Sequence, residues 1–323
     1  NLTTITFLYR SIYFIIFFTA FFLLTLGFSY FNSYVIEHKY NFSNQTLKKW
    51  FIDQVKSYLV SIVLGLIIVN IFYVIVNASP GFWWFWVSLA LILFSVLLQH
   101  LAPVLLIPIF YKLKPLENES LKDDLLDLAD KAKVKIIGVY NILLSDKTKK
   151  ANAALTGIGS TRRMLLGDTL LQNYDNGEVE TVMAHELGHH IHHHILKLIV
   201  TEGALTMISA YILFLILPSI LNYMRLGPVE NIASFPGITL LSGLLSFFTG
   251  PITGFISRKL ETQADNTAVK LSGKPDKFIS TMVKFANNYL SYAYPPRIIE
   301  FFEYDHPSIG KRIKRIEELK LQK

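Results

Sequence analysis

Four stretches of this chain contain no Asp, Glu, Lys or Arg: residues 11–36, 57–111, 203–224 and 231–257. The second is interrupted by Asn77-Ala78-Ser79-Pro80-Gly81, a turn signal that divides it in two. A helix needs roughly 20 apolar residues to cross a bilayer core, so the sequence predicts five membrane-spanning helices. The alternative, buried helices of a large soluble protein, cannot easily absorb five such segments. Composition agrees: 17% of residues are charged, against about 25% in soluble domains.

Loop charge orients the spans. Residues 32–56 carry Lys39, Lys48, Lys49 and Lys56, residues 112–197 hold twelve Lys/Arg, and residues 258–323 hold thirteen. The opposite side has Arg10 and Arg225. Basic loops stay in the cytoplasm, which places residues 113–197 and the C-terminal tail there. The net charge of +7 is therefore mainly a topology signal. No clustered basic-aromatic surface argues for nucleic acid. The absence of cysteine excludes disulfides, thiolate catalysis and Cys-ligated metal.

The polar insertion between the third and fourth spans has its own pattern. Residues 118–132 read as an amphipathic helix with Leu121, Leu125, Leu126 and Leu128 on its apolar side. Residues 134–144, 151–157 and 163–166 read as extended pieces. Asp175 with Glu178 three residues later predicts a capping box at the start of the next helix. Beyond the fifth span, helices are expected over 257–271, 276–293 and 308–321.

That next helix carries His185-Glu186-Leu187-Gly188-His189, an HExxH pattern. At i and i+4 the two histidines share one helix face, spaced to bind one Zn²⁺. Glu186 lies between them, placed as a general base toward the attacking water. Three fixed residues are a moderate signal, matched by chance on some amphipathic helices. A third protein ligand is needed. Positions 192 and 195 hold His192 and Ile195 rather than the glycine and histidine of metzincins, so that class is excluded. Glu261 is the candidate, with Asp265 one turn on to accept from a ligating histidine. Ala264 and Ala268 are small enough to let the two helices approach closely. His190, His192, His193 and His194 read as cavity or interface residues, with a role behind the metal ligands as the lesser alternative.

These motifs together resemble the integral-membrane zinc endopeptidases of the CAAX prenyl protease type I family. Matching pieces are Asn152-Ala153 before Gly157, Gly167-Asp168-Thr169-Leu170-Leu171, HELGHH, the run from Ser257 to Asp265 that reads SRxxExxAD, and His306-Pro307 with Arg312. They stand in the family's order, over about residues 82–323. The resemblance implies that His185, His189 and Glu261 bind one zinc per chain and that Glu186 is the base. It also implies that Asn152 and Ala153 pair with substrate backbone on an edge strand. His306 would stabilise the oxyanion, with Asp265 and Arg312 supporting the site. On its residues alone, His306-Pro307 reads first as a helix N-terminal turn.

The expected fold is mainly α: a polytopic helical membrane protein enclosing a chamber, with a small α+β zinc-peptidase domain of a short sheet and the HExxH helix. Its expected segments are 1–112 with three spans, 113–194 with the insertion and HExxH helix, 195–257 with two further spans, and 258–323 with the third ligand and His-Pro motif. Family members have seven spans to the five counted here. The expected partners are the lipid bilayer and a peptide or protein substrate, prenylated or membrane-embedded. Two competing readings are a heat-shock-type quality-control zinc protease and a non-catalytic scaffold. Intact His185, Glu186, His189 and Glu261 count against the scaffold.

Overall fold

The computed structural model describes residues 2–157 and 159–322. Five of its helices are long and apolar enough to cross a membrane: Ile5–Lys39, Leu47–Ala78, Trp83–Phe110, His194–Tyr223 and Ile232–Ser272. They coincide with the five charge-free segments. The third contains a π-helical turn at Ala102–Leu106, where Pro103 lacks the amide proton that the regular ladder would use.

The chain forms two compact units. The first comprises residues 1–39, 46–98 and 199–249, all but its loops drawn from the spans. Its helices bury Phe14, Val69, Tyr73 and Ile232 in one cluster, and Trp83, Val87, Leu217 and Leu221 in another. Other large apolar side chains face outward; Leu24 is 76% exposed and Phe28 74%. A helix that is hydrophobic all round needs an apolar surround on its outer face as well.

The second unit comprises residues 40–45, 99–198 and 250–323. Its sheet has four strands, β1 (Leu113–Pro115), β2 (Val139–Ile142), β3 (Ala153–Thr156) and β4 (Arg163–Gly167). Their order is β1-β2-β4-β3, with β2 and β4 parallel and the other two pairings antiparallel. β4 is central and nearly all buried, which explains the unbroken Met164-Leu165-Leu166 run. β3 is an edge, paired with β4 alone among the described residues.

Helix α1 (Glu119–Lys131) lays Leu121, Leu125 and Leu128 into the same core as Met164 and Leu166. The HExxH helix, α2 (Asn176–Ile191), adds Val179, Met183 and Leu187. Helix α3 (Phe235–Ser272) continues the last span without a break. Helices α4 (Pro275–Tyr289), α5 (Arg297–Glu303) and α6 (Ile309–Leu321) follow. Phe278 and Met282 of α4 and Ile316 of α6 close the core.

Three details differ from the sequence reading. The extended piece expected over 134–144 is a strand only at Val139–Ile142; it follows a turn at Lys133, which has φ of 56°. β1 and α5 had no expectation; the one is three residues long, and the other follows Pro295-Pro296, where a stop is the stronger signal. The loop after the first span is also drawn into this unit. Ser43 bridges Thr148, and the Lys149 amide donates to the Phe42 carbonyl at 2.8 Å.

Candidate metal centre

α2 begins as expected. Asp175 Oδ1 accepts from the Glu178 amide at 3.0 Å, while Glu178 Oε2 accepts from the Asp175 amide at 2.9 Å. That reciprocal cap fixes the helix start and with it the face on which His185 and His189 stand. Gly188, on the face toward α3, has no room for a side chain: a Cβ there would stand 3.1–3.2 Å from Ala264 and Thr267. Ala264 and Ala268 are fully buried. Small residues on both helices thus bring Glu261 within reach of the two histidines.

The three ligand atoms converge. His185 Nε2 is 3.0 Å from His189 Nε2 and 3.2 Å from Glu261 Oε2, and His189 Nε2 is 3.2 Å from Glu261 Oε1. Ligands on a tetrahedral ion with bonds of about 2.0–2.1 Å stand about 3.3 Å apart, so the spacing suits one small cation. Glu261 Oε2 is buried and accepts no hydrogen bond among the described residues. Three lone-pair atoms facing one another need a positive charge between them. The donor set of two imidazoles and one carboxylate therefore fits a divalent metal.

The surrounding side chains orient these ligands. His185 Nδ1 lies 2.9 Å from Asp265 Oδ1, which favours a proton on that nitrogen and leaves Nε2 turned toward the other two ligand atoms. Arg312 grips Asp265 at both oxygens, Nε to Oδ2 at 2.8 Å and Nη2 to Oδ1 at 2.6 Å. Burial alone would lower the His185 pKa, but the carboxylates of Asp265 and Glu261 beside it outweigh burial and raise it to about 9. The two carboxylates thus favour positive charge at this point. Burial raises the Glu186 carboxyl above its ordinary pKa, as suits a group that must hold a proton part of the time.

His306 stands at the other side of Glu261, with Nε2 3.4 Å from Oε1. Its Nδ1 bonds Asp305 at 2.7 Å, and that bond is the main reason its pKa is raised. The loop carrying it is anchored from below. Glu300 accepts from the Ser308 amide at 3.2 Å, and Arg258 donates to the Glu300 carbonyl at 3.1 Å and to that of Tyr304. The loop therefore does more than start a helix: it brings His306 to the metal ligands.

Asn152 and Ala153 share a cleft of about 700 Å³ with His185, Glu186, His306 and Arg312. β3 is held there by the Gly167-Asp168 pair. The Gly167 amide donates to the Asn152 carbonyl at 2.8 Å, and a Cβ on Gly167 would press within 2.7 Å of Leu144. Asp168 Oδ1 accepts from the amides of Leu144, Ser145 and Thr169 at 2.8–2.9 Å. The strand ends at Gly157, whose φ of 92° and contact with Thr161 leave no place for a side chain.

All nine residues singled out in the sequence thus fall in one site. Sequence reasoning missed Asp305, which neighbours His306 but belongs to no motif it weighed. His194, read first as a cavity or interface residue, places its Nδ1 2.9 Å from His189 Nδ1. The apolar pocket bounded by Phe72, Leu91 and Phe94 in the first unit contains no titratable group.

Comparison with known proteins agrees with this geometry. Residues 115–320 match the profile of peptidase family M48, and residues 2–112 match the one described as CAAX prenyl protease N-terminal, five membrane helices. That second stretch holds three spans here. The uncharacterized metalloprotease YhfN of Bacillus subtilis is 30% identical over 88% of this chain and 68% of its own length. CAAX prenyl protease 1 of Saccharomyces cerevisiae is 26% identical over 91% of this chain and 69% of its own. The crystal structure of S. mikatae Ste24p superposes with a TM-score of 0.84 at 26% identity, covering 91% of this chain and 72% of that one. The chain therefore belongs to peptidase family M48, as a multi-pass membrane metallopeptidase of the CAAX prenyl protease type.

Proposed function

We propose that this protein is a zinc-dependent endopeptidase that cleaves an extended substrate segment beside β3. The observation that carries this reading is the convergence of His185, His189 and Glu261 within 3.2 Å of one another, with Glu186 in the adjoining cleft. The donor set favours zinc, which combines His nitrogen and carboxylate oxygen in catalytic sites with one position open. Bound there, zinc supplies a Lewis acid for the scissile carbonyl and acidifies water.

The chain's own groups do the rest. The edge of β3 at Asn152 and Ala153 pairs with the substrate main chain and holds it extended. Glu186 takes a proton from the attacking water as its oxygen bonds to the carbonyl carbon. His306, charged beside Asp305, donates to the oxyanion that forms. Glu186 returns the proton to the leaving nitrogen, and the C–N bond breaks. Asp265 and Arg312 act through His185, fixing its ring and tautomer.

Main-chain pairing barely reads side chains, so this site accepts varied sequences. Relatives named CAAX prenyl protease 1 support a substrate with a prenylated C-terminus. The test is cleavage by purified protein of a prenylated CAAX peptide beside its unprenylated form. Both cuts should stop on chelation and return with zinc. Preference for the prenylated form supports the CAAX reading; equal rates favour quality control of membrane proteins. Ala153→Pro removes a backbone donor from the edge. We expect it to fold and bind zinc normally but to cleave poorly, and wild-type rates would remove β3 as the substrate strand.

The same proposal places residues 113–197 and those after 258 in the cytoplasm. Pairing of residues 42–44 with 147–149 fits this, since both loops then lie on one side. The native chain lacks cysteine, so single-cysteine labelling in intact cells reads the topology directly. Glu117→Cys and Glu318→Cys should resist a membrane-impermeant thiol reagent, and Glu230→Cys should react. The opposite pattern inverts the orientation.

A further inference from the structure

We infer that His194, Gln263, His192 and Thr267 form a directional hydrogen-bonded chain that keeps the proton of His189 on Nδ1, leaving Nε2 free for metal. The inference rests on the zinc reading above. It concerns residues that none of the motifs fixes, drawn from the turn after α2 and from the helix that carries Glu261.

The chain exists because α2 stops abruptly. His193 adopts left-handed backbone, with φ of 52°, and that turn starts the next helix at His194. His194 is 1% exposed, and its ring stands 4.9 Å from that of His189 at 82°. The two Nδ1 atoms are 2.9 Å apart. Between neutral imidazoles such a pair needs one donor and one acceptor.

The far end decides which is which. The Thr267 hydroxyl donates to the Gln263 main-chain carbonyl at 2.9 Å, so its oxygen is left to accept from His192 Nε2 at 2.8 Å. His192 Nδ1 is then a bare acceptor, and the Gln263 amide nitrogen faces it at 3.0 Å. The amide's other end, Oε1, can only accept, and His194 Nε2 lies 3.1 Å away as its donor. His194 Nδ1 is therefore bare, and His189 Nδ1–H donates to it. Run in the opposite direction, the chain would put the proton on His189 Nε2, the atom facing His185 and Glu261. Only one polarity admits a metal, and the Thr267 hydroxyl selects it.

His185 and His189 are thus oriented by different means. The first relies on a carboxylate backed by Arg312; the second relies on neutral groups that add no charge to the site. The four side chains are positioning residues, and none touches substrate.

The test is zinc affinity of the metal-free full-length protein, read by competition with a chromophoric chelator, with thermal unfolding measured beside it. Gln263→Leu removes the acceptor for His194 and should weaken zinc binding roughly 10–100-fold, as loss of a ligand's hydrogen-bond partner does. His194→Phe keeps the ring shape without its nitrogens and should weaken binding similarly. Gln263→Glu restores an acceptor for His194 but loses the donor to His192, so it should recover much of the affinity that Gln263→Leu loses. A packing role alone would move the two Gln263 variants together, so equal affinities for them overturn the inference. Gln263 is half-buried, so its variants decide the matter even if His194→Phe does not fold. Wild-type protein that binds no zinc overturns the metal reading itself, and this inference with it.

Discussion

Glu186→Gln should keep its zinc and lose turnover by a factor of at least about 10²–10⁴, the range typical of general acid–base catalysis. The substitution preserves size and hydrogen-bonding shape while removing the ability to accept a proton. Glu186 points into the cleft that also holds His185 and His306, and the three ligand atoms belong to other residues. Metal content should therefore be unaffected. Single-turnover cleavage with metal analysis on the same sample separates the two effects. Near-normal turnover would remove Glu186 as the base, and lost zinc would make it a ligand.

Glu261→Ala should act on the metal itself. Its two oxygens lie 3.2 Å from the two histidine nitrogens, so its removal leaves two ligands where a catalytic zinc needs three. The purified variant should hold far less than the one zinc per chain of the wild type, and cleavage should disappear with it. The fold should survive, because the buried Asp265–Arg312 pair stays intact and the core formed by Met183, Leu187 and Phe278 does not involve Glu261. Full zinc occupancy in the folded variant would show that another group is the third ligand.

Much of this was legible in the residues. Spans are marked by what they lack, since a charge is costly in hydrocarbon, and the five charge-free runs became the five long helices. The capping box and the histidine spacing are local, so α2 and its ligand face could be read directly. Asp265 was readable as well, because it follows Glu261 by one helical turn. His194 was not. Its place beside His189 depends on a left-handed residue at His193 that no periodicity announces. Asp305 escaped for a related reason: its role comes from a loop anchored by Glu300 and Arg258, distant in sequence from the ligands it serves. Periodicity finds faces of elements, and it is blind to where a chain goes after an element ends.

The continuous helix from Phe235 to Ser272 also sets the order of events during biosynthesis. Its first half is the last span, and Glu261 sits in its second half. The ribosome makes His185 and His189 first and must add 72 more residues, from 190 to 261, before the carboxylate exists. At about 5–20 residues per second this takes about 4–14 s, during which two further spans emerge. Until then the nascent chain has two metal ligands of three. The helix that completes the metal centre is also the fifth span, so a peptidase whose fifth span has not yet been made also lacks its third metal ligand.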